Sequence, residues 1–356
     1  MKIKYLIRTI ILVLLCVAIL FGIQSFLSNP DSHASLFVYS VAKEKKDSID
    51  VAFVGTSDVY TSFYAPLAYK QEGFTSAVLA TPGLRGSCVK SALNLIREKQ
   101  DPDLYVIELY TFLYENQYSE SELRKWIDSL PFGKNKFDTI NDLIAEEDRA
   151  SYYFPLLKYH GSMDRISADL KAVKEKNFID SNGSIIKNFS TCTNNMIGKT
   201  ADPLVDVFDI SEQGMVLLDE LLQFLEENNI DNVLFIRTPE WNRPEVTDNY
   251  KIALQKIDEA GFDFLDIGEY YDALGLDSEK DYYNTGHVNV YGMEKITAFL
   301  AEYISDNYQI DMEHREDVTE EWDNCASYCD FIIDKLKKAT DARENKTIFC
   351  NIDYFN

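Results

Sequence analysis

Residues 51–57, Val-Ala-Phe-Val-Gly-Thr-Ser, run four apolar residues of β-forming type into a glycine and then into small hydroxylic residues. That pattern is a buried strand breaking into a tight turn. It recurs along the chain. Ala77–Ala80 ends at Thr81-Pro82-Gly83, and Leu104–Leu109 follows the turn signal Asp101-Pro102-Asp103. A further strand over 232–236 ends at Arg237-Thr238-Pro239, and another is predicted over 262–266. Helical spacers lie between them, one with Leu217, Leu218, Leu221, Leu222 and Leu225 on a single apolar stripe. Strands alternating with helices predict an α/β fold, a three-layer α/β/α sandwich around a parallel sheet of about five strands. Ligands gather at the carboxyl ends of such strands, and Ser57 falls there. It is a candidate nucleophile provided a base reaches it. An ordinary helix N-cap is the alternative.

The N-terminus carries Lys2, Lys4 and Arg8, then an apolar run reaching Pro30 with almost nothing polar from Ile10 to Ile23. A helix of about 20 apolar residues crosses a bilayer. The basic residues before the run and Asp31 after it leave the N-terminus cytoplasmic and the body outside. The length of the run and the poor small-residue site Ser32-His33-Ala34 favour an uncleaved anchor over a signal peptide. The predicted organisation is a tail and anchor over 1–30, a linker with a helical lead-in over 31–48, and an α/β domain over 49–306. A charged, aromatic insertion at 115–208, helical around 120–130 and 166–176, is expected to lie over the sheet edge. A helical segment over 307–356 is expected to pack on the body.

A net charge of -24 excludes nucleic acid as a partner, because phosphate binding needs clustered Lys and Arg. With four histidines, no CxxC pair and no HExxH helix, nothing supports a metal site, and no cofactor is expected. Outside the cell a disulfide involving Cys325, Cys329 or Cys350 is open, but the sequence deduces no pairing.

A second polar segment, Asp281-Tyr-Tyr-Asn284-Thr-Gly-His287-Val-Asn289, precedes a helix predicted from about Gly292 to Ile304. A histidine in such a loop can turn towards the strand ends, and with Ser57 it forms a plausible nucleophile and base.

Gly55-Thr56-Ser57 after the first strand, with His287 before the last helix, resembles the SGNH/GDSL hydrolase superfamily. The likeness is strongest to its membrane-anchored branch associated with cell-surface polysaccharides. It extends to 102–110, 154–160, 237–239 and 283–292, and covers nearly the whole chain to about Arg315. No GxSxG elbow occurs, so an α/β-hydrolase likeness does not hold. In the family the serine is the nucleophile, and the histidine, three residues after an acid, is the base. The resemblance implies an oxyanion hole formed by the backbone N–H groups of Ser57 and Ala80, the latter where the family usually has glycine. It also places Asn284 where the family has aspartate, with Asp281 nearby as a substitute. The family's asparagine block has no clear match, Glu108 and Tyr110 standing there, while Asp58 reads as a turn or cap residue.

The implied activity is that of a membrane-anchored, extracytoplasmic serine esterase or O-acyltransferase acting on acyl esters of a cell-surface glycan. Ser57 would carry the acyl group, His287 would act as acid and base, and Asn284 or Asp281 would orient it. A membrane-bound O-acyltransferase is the implied partner. Asn284 leaves open a second reading, a catalytically degenerate scaffold or glycan-binding module.

Overall fold

The computed structural model describes residues 2–27, 32–113, 120–160, 166–203 and 206–355. Asp31 and the last residues of the expected anchor, 28–30, lie outside these, as do 115–119 of the insertion. Five parallel strands, β1 (Val51–Gly55), β2 (Ser76–Ala80), β3 (Leu104–Glu108), β4 (Val233–Arg237) and β5 (Asp263–Asp266), form one sheet in the order β2-β1-β3-β4-β5. Every residue of the first four is buried. A strand covered on both faces has no solvent side to alternate with, so it reads as an unbroken apolar run.

Helices α3 (Ser57–Ser62) and α4 (Ala65–Glu72) join β1 to β2, and α5 (Gly86–Arg97) returns over β1 to β3. Helices α7 (Glu212–Glu227) and α8 (Asp248–Glu259) precede β4 and β5, and α9 (Val290–Asn307) follows the last strand. Right-handed crossovers put the helices on opposite faces according to the direction of travel. Helix α9 accordingly packs on α3 and α4, while α7 packs on α5 and α8. The direction reverses between β1 and β3, which makes the carboxyl ends of these two strands the switch point where ligands of such sheets collect.

Residues 32–43 supply the helical lead-in expected within 31–48. They form a helix, α2 (Ser32–Lys43), packed on β2, because Phe37, Val38 and Val41 share a face and enter the core. The insertion's longest helix, α6 (Ile166–Asn182), packs on α2. Beyond it the chain lines the free edge of β2, where the Asn188 amide donates to the Val78 carbonyl at 2.8 Å. Lys187, also buried, is neutralised by Glu44 at 2.9 Å and Glu321 at 2.6 Å.

Two helices, α10 (Glu316–Ser327) and α11 (Cys329–Asp341), bury Val318, Trp322, Ile332 and Leu336 against the body. Thr347–Ile348 then pairs antiparallel with Thr191–Cys192 of the insertion. Asn351 fastens the same region, accepting from the Ile185 and Ile186 N–H groups at 2.7 and 3.0 Å and donating to Glu175 at 2.6 Å. Cys325, Cys329 and Cys350 are buried thiols that form no disulfide, which closes the pairing left open for them. At the other end of the chain, helix α1 (Lys2–Leu27) contains one stretch, Ile3–Gln24, long and apolar enough to cross a membrane.

Candidate active site

Strand β1 delivers Ser57 as the first residue of α3, and the N-cap is Thr56, whose hydroxyl accepts from the Asp58 N–H at 3.3 Å. The Ser57 hydroxyl is therefore not needed for capping. Gly55 is required for a reason other than a bend. A Cβ there would stand 2.7 Å from Glu108 Oε2 and would collide with Val59.

The loop after β5 brings His287. A Tyr282–Val288 bridge and a Tyr283 N–H bond to the His287 carbonyl at 3.1 Å fold residues 281–289 into a narrow hairpin. The Tyr282 hydroxyl pins this hairpin to the Pro239 carbonyl at 2.9 Å, and the Tyr283 ring lies parallel to the imidazole, 5.4 Å between centroids. His287 Nε2 then lies 2.7 Å from Ser57 Oγ, across 230 residues of chain.

Asn284 holds the other side of the ring. Its Oδ1 lies 2.9 Å from His287 Nδ1 and also accepts from the Gly286 and His287 N–H groups at 3.0 and 2.8 Å. Two backbone donors can be met only by the amide oxygen, so that oxygen faces the ring. Nδ1 must then carry the proton and Nε2 the lone pair that faces Ser57. Burial holds the imidazole down at about 4, neutral at physiological pH.

Asp281 is not an alternative orienter. Its carboxylate accepts from Lys295 Nζ at 2.6 Å and from the Asp277 N–H at 2.8 Å, fastening the hairpin to α9 rather than approaching His287. Ala80 is corrected as well. The Thr81 N–H donates to the Gly55 carbonyl at 3.1 Å, and in an extended strand neighbouring N–H groups point to opposite sides. The Ala80 N–H therefore faces the free edge that Asn188 caps, away from Ser57.

Beneath Ser57 lies a set of buried acids that sequence reasoning does not assemble. Glu108 is fully buried at the end of β3, where its Oε2 accepts from the Thr56 N–H at 2.6 Å and its Oε1 from the Thr238 hydroxyl at 3.2 Å. The Thr56 hydroxyl stands between two carboxyls, 2.8 Å from Glu108 Oε2 and 3.3 Å from Asp58 Oδ2. Burial pushes both acids up, and the charge of Asp58 adds to the effect on Glu108. Glu240 is also buried and pushed up to about 8, with neither oxygen hydrogen-bonded and Arg237 Nε 3.7 Å away.

Asp58 Oδ1, buried and without a hydrogen-bond partner, lies 3.6 Å from His287 Nε2. That is too long for a hydrogen bond but close enough to act on a charge. The only signals for these acids are a carboxylate closing an apolar strand, at Glu108, and one just past Thr238-Pro239, at Glu240.

Neither a family model nor a curated protein sequence matches this chain.

Proposed function

We propose that this chain is a membrane-anchored, extracytoplasmic serine esterase or O-acyltransferase of SGNH type acting on acyl esters of a cell-surface glycan. The observation that carries the reading is the 2.7 Å approach of Ser57 Oγ to a His287 Nε2 whose tautomer is set from behind by Asn284. A serine hydroxyl is a weak nucleophile until a neighbouring base takes its proton. His287, neutral and presenting a lone pair, is such a base.

In the proposed cycle Oγ forms a bond to the ester carbonyl carbon as its proton passes to Nε2. The tetrahedral oxyanion then collapses, the C–O bond to the leaving alcohol breaks, and the imidazolium returns the proton to that alcohol. Water or a sugar hydroxyl repeats the sequence on the acyl-enzyme, releasing Ser57. The Ser57 N–H at the start of α3 is the first oxyanion donor.

Asn284 supplies geometry but no charge for the imidazolium formed in between. Asp58, 3.6 Å from Nε2, is the carboxylate placed to supply it. Extracytoplasmic placement rests on Lys2, Lys4 and Arg8 at the N-terminal end of α1, and the glycan and the membrane-bound acyltransferase partner rest on the family resemblance alone.

The test is a serine-reactive phosphonate ester added to the full chain in detergent. A stoichiometric adduct at Ser57, absent from the folded Ser57→Ala variant, supports the reading. A folded wild-type chain that forms no adduct and hydrolyses no acetyl ester refutes it, and supports instead the non-catalytic glycan-binding scaffold that Asn284 leaves open.

A further inference from the structure

The surface around the exit of α1 bears three large exposed apolar side chains: Phe132 at 64%, Phe154 at 56% and Leu157 at 60% exposure. Rings link this patch, Phe132 to Phe137 at 5.0 Å between centroids and Phe137 to Tyr153 at 5.3 Å. It is continuous with the membrane helix, since the Gln24 side chain at the end of the apolar stretch donates to the Tyr153 carbonyl at 3.4 Å. Leu156–Tyr159 also packs on α1.

Around the patch stand Lys136 and Arg149, together with Lys134, which pairs with Asp138, and Lys158, which pairs with Glu120 at 2.9 Å. Beside them a cavity of about 490 Å³ is lined by Gln24, Phe132, Tyr153, Asp128 and three lysines, Lys136, Lys176 and Lys43, the last paired with Asp180 at 2.7 Å. Exposed apolar rings flanked by cations, with room for an anionic headgroup, form the composition of an interfacial membrane surface.

We propose that this face docks on the outer leaflet of the bilayer that holds α1. Phe132, Phe154 and Leu157 enter the headgroup–acyl boundary, and Lys136 and Lys176 meet lipid phosphates. The body would then be held at a fixed attitude by two attachments, the helix and this patch, rather than swinging on one. The inference rests on α1 lying in the membrane, as in the function proposed above.

The experiment separates the two. Full chains carrying one added tryptophan each, V13W, F132W, L157W or V216W, are reconstituted in vesicles of phosphatidylcholine and phosphatidylglycerol with or without brominated acyl chains. Val13 lies within the apolar stretch of α1, and Val216 is 49% exposed on α7 as a remote control. Bromine quenches tryptophan only by contact, so the fluorescence lost relative to the unsubstituted chain reports burial in lipid. Docking predicts quenching at 13, 132 and 157 and none at 216. Quenching at 13 alone overturns the docking while leaving the anchor, and assigns the face to a protein partner. No quenching at 13 overturns both.

Discussion

Replacing Asn284 by aspartate probes the site where its electrostatics are weakest. The new carboxylate keeps the three hydrogen bonds that Asn284 Oδ1 accepts, from Nδ1 at 2.9 Å and from two backbone N–H groups, so the geometry should persist. What changes is one negative charge beside a ring that becomes cationic during turnover. Two unit charges about 4 Å apart attract by ~1 kcal/mol in water and by ~4 kcal/mol at the effective dielectric near a protein surface. Asn284 is exposed, which favours the lower part of that span. At about 1.4 kcal/mol per tenfold, that span is a gain in kcat/KM of roughly 5- to 10³-fold, with the exposed site placing it towards the lower end.

It should fall short of the roughly 10⁴-fold that aspartate is worth in a serine protease triad, because that loss comes from a wrong tautomer. Here the backbone already enforces the right one. The assay is hydrolysis of a chromogenic acetyl ester across pH. The same charge favours imidazolium and must raise the His287 pKa from about 4. The acid limb of the wild-type profile, set by His287 near pH 4, should therefore move to higher pH in Asn284→Asp. A folded variant with unchanged or lower rate and an unmoved acid limb refutes the argument that Asn284 orients the base.

Asp58→Asn should lower kcat/KM about ten- to a hundredfold, a ~1–3 kcal/mol loss of imidazolium stabilisation. The deficit should shrink at low pH, where the wild-type acid is itself protonated. Gly55→Ala should cost about 1–3 kcal/mol by overpacking and shift the thermal melt downwards, since its methyl meets Glu108 and Val59. Glu240 holds a proton in the folded state up to about 8, whereas the unfolded chain releases it near the ordinary glutamate value of 4.5. The native state thus binds more protons through that window, and stability falls as pH rises across it. Glu240→Gln should flatten that slope, read by denaturant melts at pH 5, 7 and 9, and an unchanged slope would place the burden on Glu108 and Asp58.

The sheet is legible because buried parallel strands leave unbroken apolar runs, and Ser57 and His287 because each follows such a unit in a polar loop. Their separation of 230 residues closes only because β1 and the β5 hairpin share one rim. Asp281 misleads because sequence distance says nothing of Lys295, which claims it from one helix onwards. Ala80 misleads because which edge a strand's N–H faces is set by register with its neighbour, and register is a pairing property. Gly55 is legible as the glycine of a tight turn, but the side chain it makes room for, Glu108, stands 53 positions away by subtraction of their numbers. The helical lead-in is legible because Phe37, Val38 and Val41 share one face, while the surfaces it covers, β2 and α6, are not.

The clasp formed by Thr347–Ile348 and Asn351 with the insertion has a consequence for biogenesis. Lining of the β2 edge by 185–190, and with it the support behind α3, waits for partners made more than 150 positions later, as the offset of Asn351 from Ile185 shows. Contacts so distant along the chain are slow to form. A polypeptide still being synthesised would have its hydroxyl and imidazole before it had the brace that keeps them together. Competence should therefore arrive late and all at once, and nicking the chain ahead of residue 347 should loosen the whole edge rather than merely shorten the protein.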